Sequence, residues 1–138
     1  MTNDLLNILL VEDDEVDVMN VKRAFRQHNI RNPLVVAGDG VEALEKLRGG
    51  HVPKTRRIVL LDLNMPRMNG IEFLRALRSD PELSATTVVV LTTSNDDRDK
   101  VDAYDLNVAG YLLKPVTFTN FCEVMVALNK YWSLVELP

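Results

Sequence analysis

The chain has 138 residues, 46% of them apolar and 26% charged, a balance that predicts one folded domain over 1–138 and excludes a disordered or fibrous polymer. Its 20 acidic and 16 basic residues give a net charge of −4, so nucleic acid and anionic membrane surfaces are expected to repel it. No apolar run reaches the roughly 20 residues needed to span a bilayer, which excludes a membrane-crossing helix.

The amino end lacks the basic start and apolar run of a secretion signal, so a cytoplasmic location is expected. Leu6 to Val11 reads as a first strand, and Glu15 to Gln27 as a helix with Val18, Val21 and Phe25 on one face. A second strand, Leu34 to Ala37, is followed by a helix that Asp39 caps with Glu42 three residues on. That helix carries Val41, Leu44 and Leu47 on one stripe and stops at Gly49-Gly50. The basic residues Lys54, Arg56 and Arg57 then fall in a polar stretch and read as a solvated connection. Ile58 to Leu61 is the third strand, and the helix after it has Ile71, Leu74 and Leu77 on one side and ends at Ser79-Asp80-Pro81. Thr87 to Thr92 is the fourth strand, followed by a weakly amphipathic fourth helix near Asp97 to Leu106. Gly110 to Leu113 is the fifth.

The last helix, Thr117 to about Trp132, places Phe118, Phe121, Cys122, Met125 and Leu128 on one face, with Val124, Val126 and Tyr131 partly outside it. Cys122 is the single cysteine, which excludes an internal disulfide and fits a reducing compartment. Residues 133–138 form a short apolar tail. His28 and His51 have no metal partner at useful spacing and read as solvated.

The strands lack polar alternation, as parallel strands covered on both faces do. Five strand–helix units of this length predict an α/β fold, a doubly wound parallel sheet in the order 2-1-3-4-5. In such a sheet the order reverses between strands 1 and 3, and the residues just after Val11 and Leu61 should face each other across a crevice.

That crevice would gather Glu12-Asp13-Asp14 and Asp62. Converging carboxylates repel unless a cation joins them, and a hard divalent ion such as Mg²⁺ suits oxygen donors. Taken alone, either acidic cluster reads more simply as helix caps, Asp14 above all. Thr92 and Lys114, at the ends of strands 4 and 5, complete a rim with a carboxylate nucleophile, a cation site, a hydroxyl and an ammonium group. Phosphoryl transfer to an aspartate uses that set, with Lys114 and the metal offsetting oxygen charge and Thr92 donating a hydrogen bond. No Gly-rich phosphate loop is present, which argues against an NTP donor.

Val11-Glu12-Asp13-Asp14, Leu61-Asp62-Leu63-Asn64-Met65-Pro66, Leu91-Thr92 and Lys114-Pro115 resemble, in order and spacing, the response-regulator receivers of two-component signalling, with a flavodoxin-like fold. The resemblance implies that Asp62 is the phosphoacceptor, that Asp13 ligates the metal directly, that Glu12 reaches it through water, and that Asn64 offers its backbone carbonyl. It also implies an aromatic switch at Tyr111 coupled to Thr92, a cis peptide before Pro115, and access control at Asn64 and Ser94. Asn69 stands where the family often has aspartate and should preserve the turn before the third helix, since both residues tolerate left-handed geometry.

A sensor histidine kinase is the implied phosphodonor. The apolar carboxyl end and the long connection before strand 3 are similar to small receivers that partner cyanobacterial phytochrome kinases. Many of those dimerise, which implies a homodimer through the fourth helix, fifth strand, fifth helix and tail. The implied role is signalling rather than turnover of an external substrate. A haloacid-dehalogenase-like phosphatase would need an acid two residues after its nucleophile, where this chain has Asn64. A pseudo-receiver would lack part of the Asp13, Asp62, Thr92, Lys114 set, and a flavodoxin-like FMN binder would need a hydroxyl-rich loop after strand 1.

Overall fold

Strands that must be covered on both faces need apolar side chains at successive positions, and the third strand is buried at all six of its residues. The computed structural model describes residues 5–63, 65, 67–92, 101, 105–113, 123, 126, 127 and 130. Its strands are β1 (Asn7–Val11), β2 (Leu34–Ala37), β3 (Arg57–Asp62), β4 (Thr87–Thr92) and β5 (Gly110–Leu113), and its complete helices are α1 (Glu15–Gln27), α2 (Gly40–Arg48) and α3 (Gly70–Ser79). All four strand pairings are parallel and the order is β2-β1-β3-β4-β5, as the sequence predicts. Among the described residues no helix is long and apolar enough to cross a membrane.

Residue parity divides the core. Leu9, Val11, Val59 and Leu61 pack with Leu44 and Leu47 of α2 and with Phe73, Leu74 and Leu77 of α3. Ile8, Leu10, Ile58 and Leu60 pack on the other side with Phe25 of α1. Each such aliphatic side chain contributes about 1.5–3 kcal/mol on full burial. Phe73, absent from the expected stripe, is fully buried and widens the apolar face of α3.

Three polar residues start the helices. The Asp14 carboxylate accepts from the N–H groups of Val16 and Asp17, and Asp39 accepts from Glu42 N–H at 2.9 Å. The expected reciprocal bond from Asp39 N–H is not the one made: the Glu42 carboxylate accepts from Gly38 N–H at 3.0 Å. A full capping box occurs instead at Asn69 and Glu72. Asn69 is therefore extended, with φ −73 and ψ 174, because an N-cap must leave the helical region for its side chain to reach back. Among the described residues of that turn, Arg67 is left-handed, with φ 55.

Arg57 also departs from expectation. It is not part of a solvated connection but the first residue of β3, in register with Asn7 and only 8% exposed. One extra rung of the ladder gives it the parity of Val59 and carries its side chain inward. Nη2 lies 3.3 Å from Thr86 Oγ1, and burial pushes its pKa down.

Val101 and Leu106 of the expected fourth helix are buried. Asp105, left-handed at φ 51, and Leu106 are not helical, so that helix ends earlier than expected; residues 97–100 and 102–104, most of the expected fifth helix, the tail at 133–138, and Asn64, Ser94, Lys114 and Pro115 lie outside the described residues.

Candidate functional site

Register builds the site. Val11 pairs with Ala37 on one side and Leu61 on the other, so the chain leaving β1 and the last residue of β3 meet where the strand order reverses. Glu12 is held there by its N–H, which donates to the Ala37 carbonyl at 3.0 Å. Carboxylate oxygens of Glu12, Asp13 and Asp62 all lie within 4.8 Å of one another. Glu12 is 3% exposed and Asp62 5%, whereas Asp13 is open to solvent. Asp14 is spent on capping α1 and stands apart from this group.

Two buried carboxylates and one exposed carboxylate in that space repel one another in water-poor surroundings. A hard divalent cation offsets the repulsion, and an all-oxygen donor set with one side open to water fits such an ion. The chemistry of the donors therefore fits a divalent metal.

Asp62 pairs with Leu91, which puts Thr92, the last residue of β4, on the same rim. Thr92 is in register with Leu113 of β5. The side chain of Thr92, like Lys114 and Asn64, lies outside the described residues. Tyr111, opposite Val90, is half-buried and packs against the core. Its ring borders a cleft of about 210 Å³ shared with Val101, Asp105, Leu106, Asn107 and Val108.

The turn from β3 to α3 is closed tightly behind Asp62. Gly70 N–H donates to the Leu63 carbonyl at 3.0 Å, and a Cβ on Gly70 would sit 2.5 Å from Leu63 Cα and 2.9 Å from the Asp62 carbonyl. Glycine is required here by close approach. Sequence reading missed a second fastening at the far side of the turn. Arg67 Nε donates to Asp39 Oδ2 at 2.6 Å, and Gly40 N–H donates to the Met68 carbonyl at 3.1 Å. The Arg67 guanidinium holds the Asp39 carboxyl below the usual carboxylate range, with the Glu42 N–H adding to it. Glu42 is lowered as well, first by the Gly38 N–H and then by Lys46, whose Nζ lies 3.1 Å from Glu42 Oε1. The only available signal was a charged residue in each turn, with nothing to pair them.

Residues 8–126 match the family model described as response regulator receiver domain. The chain is 38% identical over 130 residues to the probable methanogenesis regulatory protein FilR2 of Methanothrix harundinacea, covering 91% of this chain and 82% of that one. It is 33% identical over 135 residues to response regulator Rcp1 of Synechocystis, covering 95% and 92%. The Mn²⁺-bound form of Rcp1 superposes with a TM-score of 0.71 at 33% identity, covering 96% of this chain and 99% of that one. The phosphorylated cyanobacterial phytochrome response regulator RcpA superposes with a TM-score of 0.75 at 33% identity, covering 97% and 99%.

Proposed function

The chain belongs to the response-regulator receiver family, and on that premise we propose that it is a phosphoacceptor switch in which Asp62 takes a phosphoryl group from a sensor histidine kinase. The observation that carries the reading is the convergence of Glu12, Asp13 and Asp62 where the strand order reverses.

A carboxylate oxygen of Asp62 attacks phosphorus in line. The P–N bond of the donor phosphohistidine breaks, its electron pair stays on the imidazole, and an acyl phosphate forms on Asp62. Asp13, Asp62 and the Asn64 carbonyl, with Glu12 through water, would hold Mg²⁺, which would supply positive charge beside the phosphoryl oxygens. Lys114 adds a second positive charge, and Thr92 donates a hydrogen bond. Water later hydrolyses the acyl phosphate, with access set by Asn64 and Ser94.

The phosphoryl group draws Thr92 toward it, and the Tyr111 ring turns inward into the space released. The change alters the face formed by the fourth helix, β5 and the fifth helix, where Val126 is already exposed. That face, with the tail at 133–138, serves homodimer or partner contact. The receiver passes its signal by protein contact or phosphorelay in the cytoplasm, without turnover of an external substrate. The likeness to RcpA and Rcp1 supports a phytochrome as the kinase.

The test is incubation with a small phosphodonor, followed by intact mass. One phosphoryl adduct is expected with Mg²⁺ and none after EDTA treatment. Equal labelling with and without the ion contradicts the metal-assisted mechanism.

A further inference from the structure

The turn between β3 and α3 holds the chain immediately after Asp62, and it is tied at two places. Its base is closed by Gly70 N–H on the Leu63 carbonyl, next to Asp62. Its tip is tied to another element altogether, the amino end of α2. There Arg67, held left-handed at φ 55, donates to Asp39, and the adjoining Met68 carbonyl accepts from Gly40 N–H.

The Asp39 carboxylate caps α2 through Oδ1, so Arg67 grips the second oxygen, Oδ2, of a carboxylate already anchored. The grip continues inward. Gly38 N–H donates to Glu42, Glu42 pairs with Lys46, and Lys46 Nζ donates to the Val36 carbonyl at 2.6 Å. That chain of contacts ends at β2, and Ala37 of β2 holds Glu12 through its carbonyl. Both walls of the carboxylate cluster are therefore referred to one fixed point, the start of α2.

We propose that the Arg67–Asp39 pair is a positioning clamp for the phosphoacceptor turn, which fixes the chain beyond Asp62 relative to Glu12 and so sets how readily the metal-dependent transfer proceeds. The clamp rests on the phosphoacceptor reading of Asp62. Arg67 touches no reacting atom. It acts through the turn and through Asp39, as groups behind metal ligands do.

The side chain of Arg67 is 63% exposed, so its truncation should spare the fold. Asparagine caps a helix as well as aspartate does, so Asp39→Asn keeps the Oδ1 cap of α2 while putting an amide nitrogen, which cannot accept, in place of the Oδ2 that takes the Arg67 bond. The experiment measures initial phosphorylation rate, by intact mass with acetyl phosphate, as a function of Mg²⁺ concentration. It compares wild type, Arg67→Ala, Arg67→Lys, Asp39→Asn and the Arg67→Ala/Asp39→Asn double variant, with thermal midpoints as a check on folding.

At limiting Mg²⁺, Arg67→Ala and Asp39→Asn should each slow the reaction by about three- to tenfold. The double variant should be no slower than either single one, because both remove the same contact. Arg67→Lys should recover part of the loss, and the thermal midpoints should stay close to wild type. Unchanged rates in folded Arg67→Ala, or single losses that multiply in the double variant, overturn the clamp while leaving Asp62 as phosphoacceptor. A wild-type protein that takes up no phosphate overturns the phosphoacceptor reading and the clamp with it.

Discussion

Glu12 and Asp62 keep carboxylates out of water and within reach of a third. Gathered carboxylates favour a bound cation, so folding and metal binding are linked. Mg²⁺ at about ten times its dissociation constant should stabilise the wild type by roughly 1.4 kcal/mol, read as a rise in thermal midpoint. Asp13→Asn should blunt that rise, and an equal rise in both proteins would place the ion elsewhere. Arg57 is the opposite case, a buried cation whose Nε and Nη1 have no hydrogen-bond partner among the described residues. Replacing it by methionine removes a desolvated charge and keeps the apolar stem. Arg57→Met should leave the urea midpoint unchanged or raise it, and a marked fall would reveal a strong compensating contact. The burial of Arg57 was hidden in the sequence because its two basic neighbours made it look like part of a solvated run. Arg67 and Asp39 were hidden for another reason. They are 28 residues apart in turns, where no periodicity links one polar residue to another.

Helix α3 carries two different constraints, one from packing and one from its start. Leu74 is fully buried between the helix and the sheet, so Leu74→Ala should cost about 2–5 kcal/mol in denaturant unfolding. Gly70→Ala puts a methyl group against backbone rather than a flexible side chain, and should destabilise by about 1–3 kcal/mol or more. A Gly70→Ala protein as stable as wild type would mean that the turn yields easily. The element boundaries were legible where local chemistry fixes them: Asp14 and Asp39 cap as their positions suggest, and α2 ends at Gly49. Asn69 was expected to preserve the turn, and the structure uses it there as the cap of α3. Gly70 gave no sign of its necessity, since the atoms it must clear belong to Leu63 and Asp62 and come close only once the turn closes.

For the whole molecule, strand order was readable because unalternating strands separated by amphipathic helices leave few topologies, and the switch point then locates the site. Acid stability follows from carboxylates at the helix ends. Arg67 lowers the pKa of Asp39, the Gly38 N–H lowers that of Glu42, and the Glu82 N–H lowers that of Asp80. A lowered folded-state pKa contributes stability that is complete above the ordinary carboxylate value, about 4, and is lost as pH falls through the folded value. Urea midpoints should therefore fall on acidification below that range, and less steeply in Asp39→Asn. A profile for Asp39→Asn parallel to wild type would contradict the assignment to Asp39. Sedimentation with and without phosphodonor tests association through the face carrying Val126, and a monomer at high concentration in both states contradicts the homodimer. The most direct measurement of the central claim is intact mass after incubation with Mg²⁺ and acetyl phosphate, wild type beside Asp62→Asn. The account predicts one phosphoryl adduct on the wild type and none on the variant; an adduct that survives the substitution would contradict it.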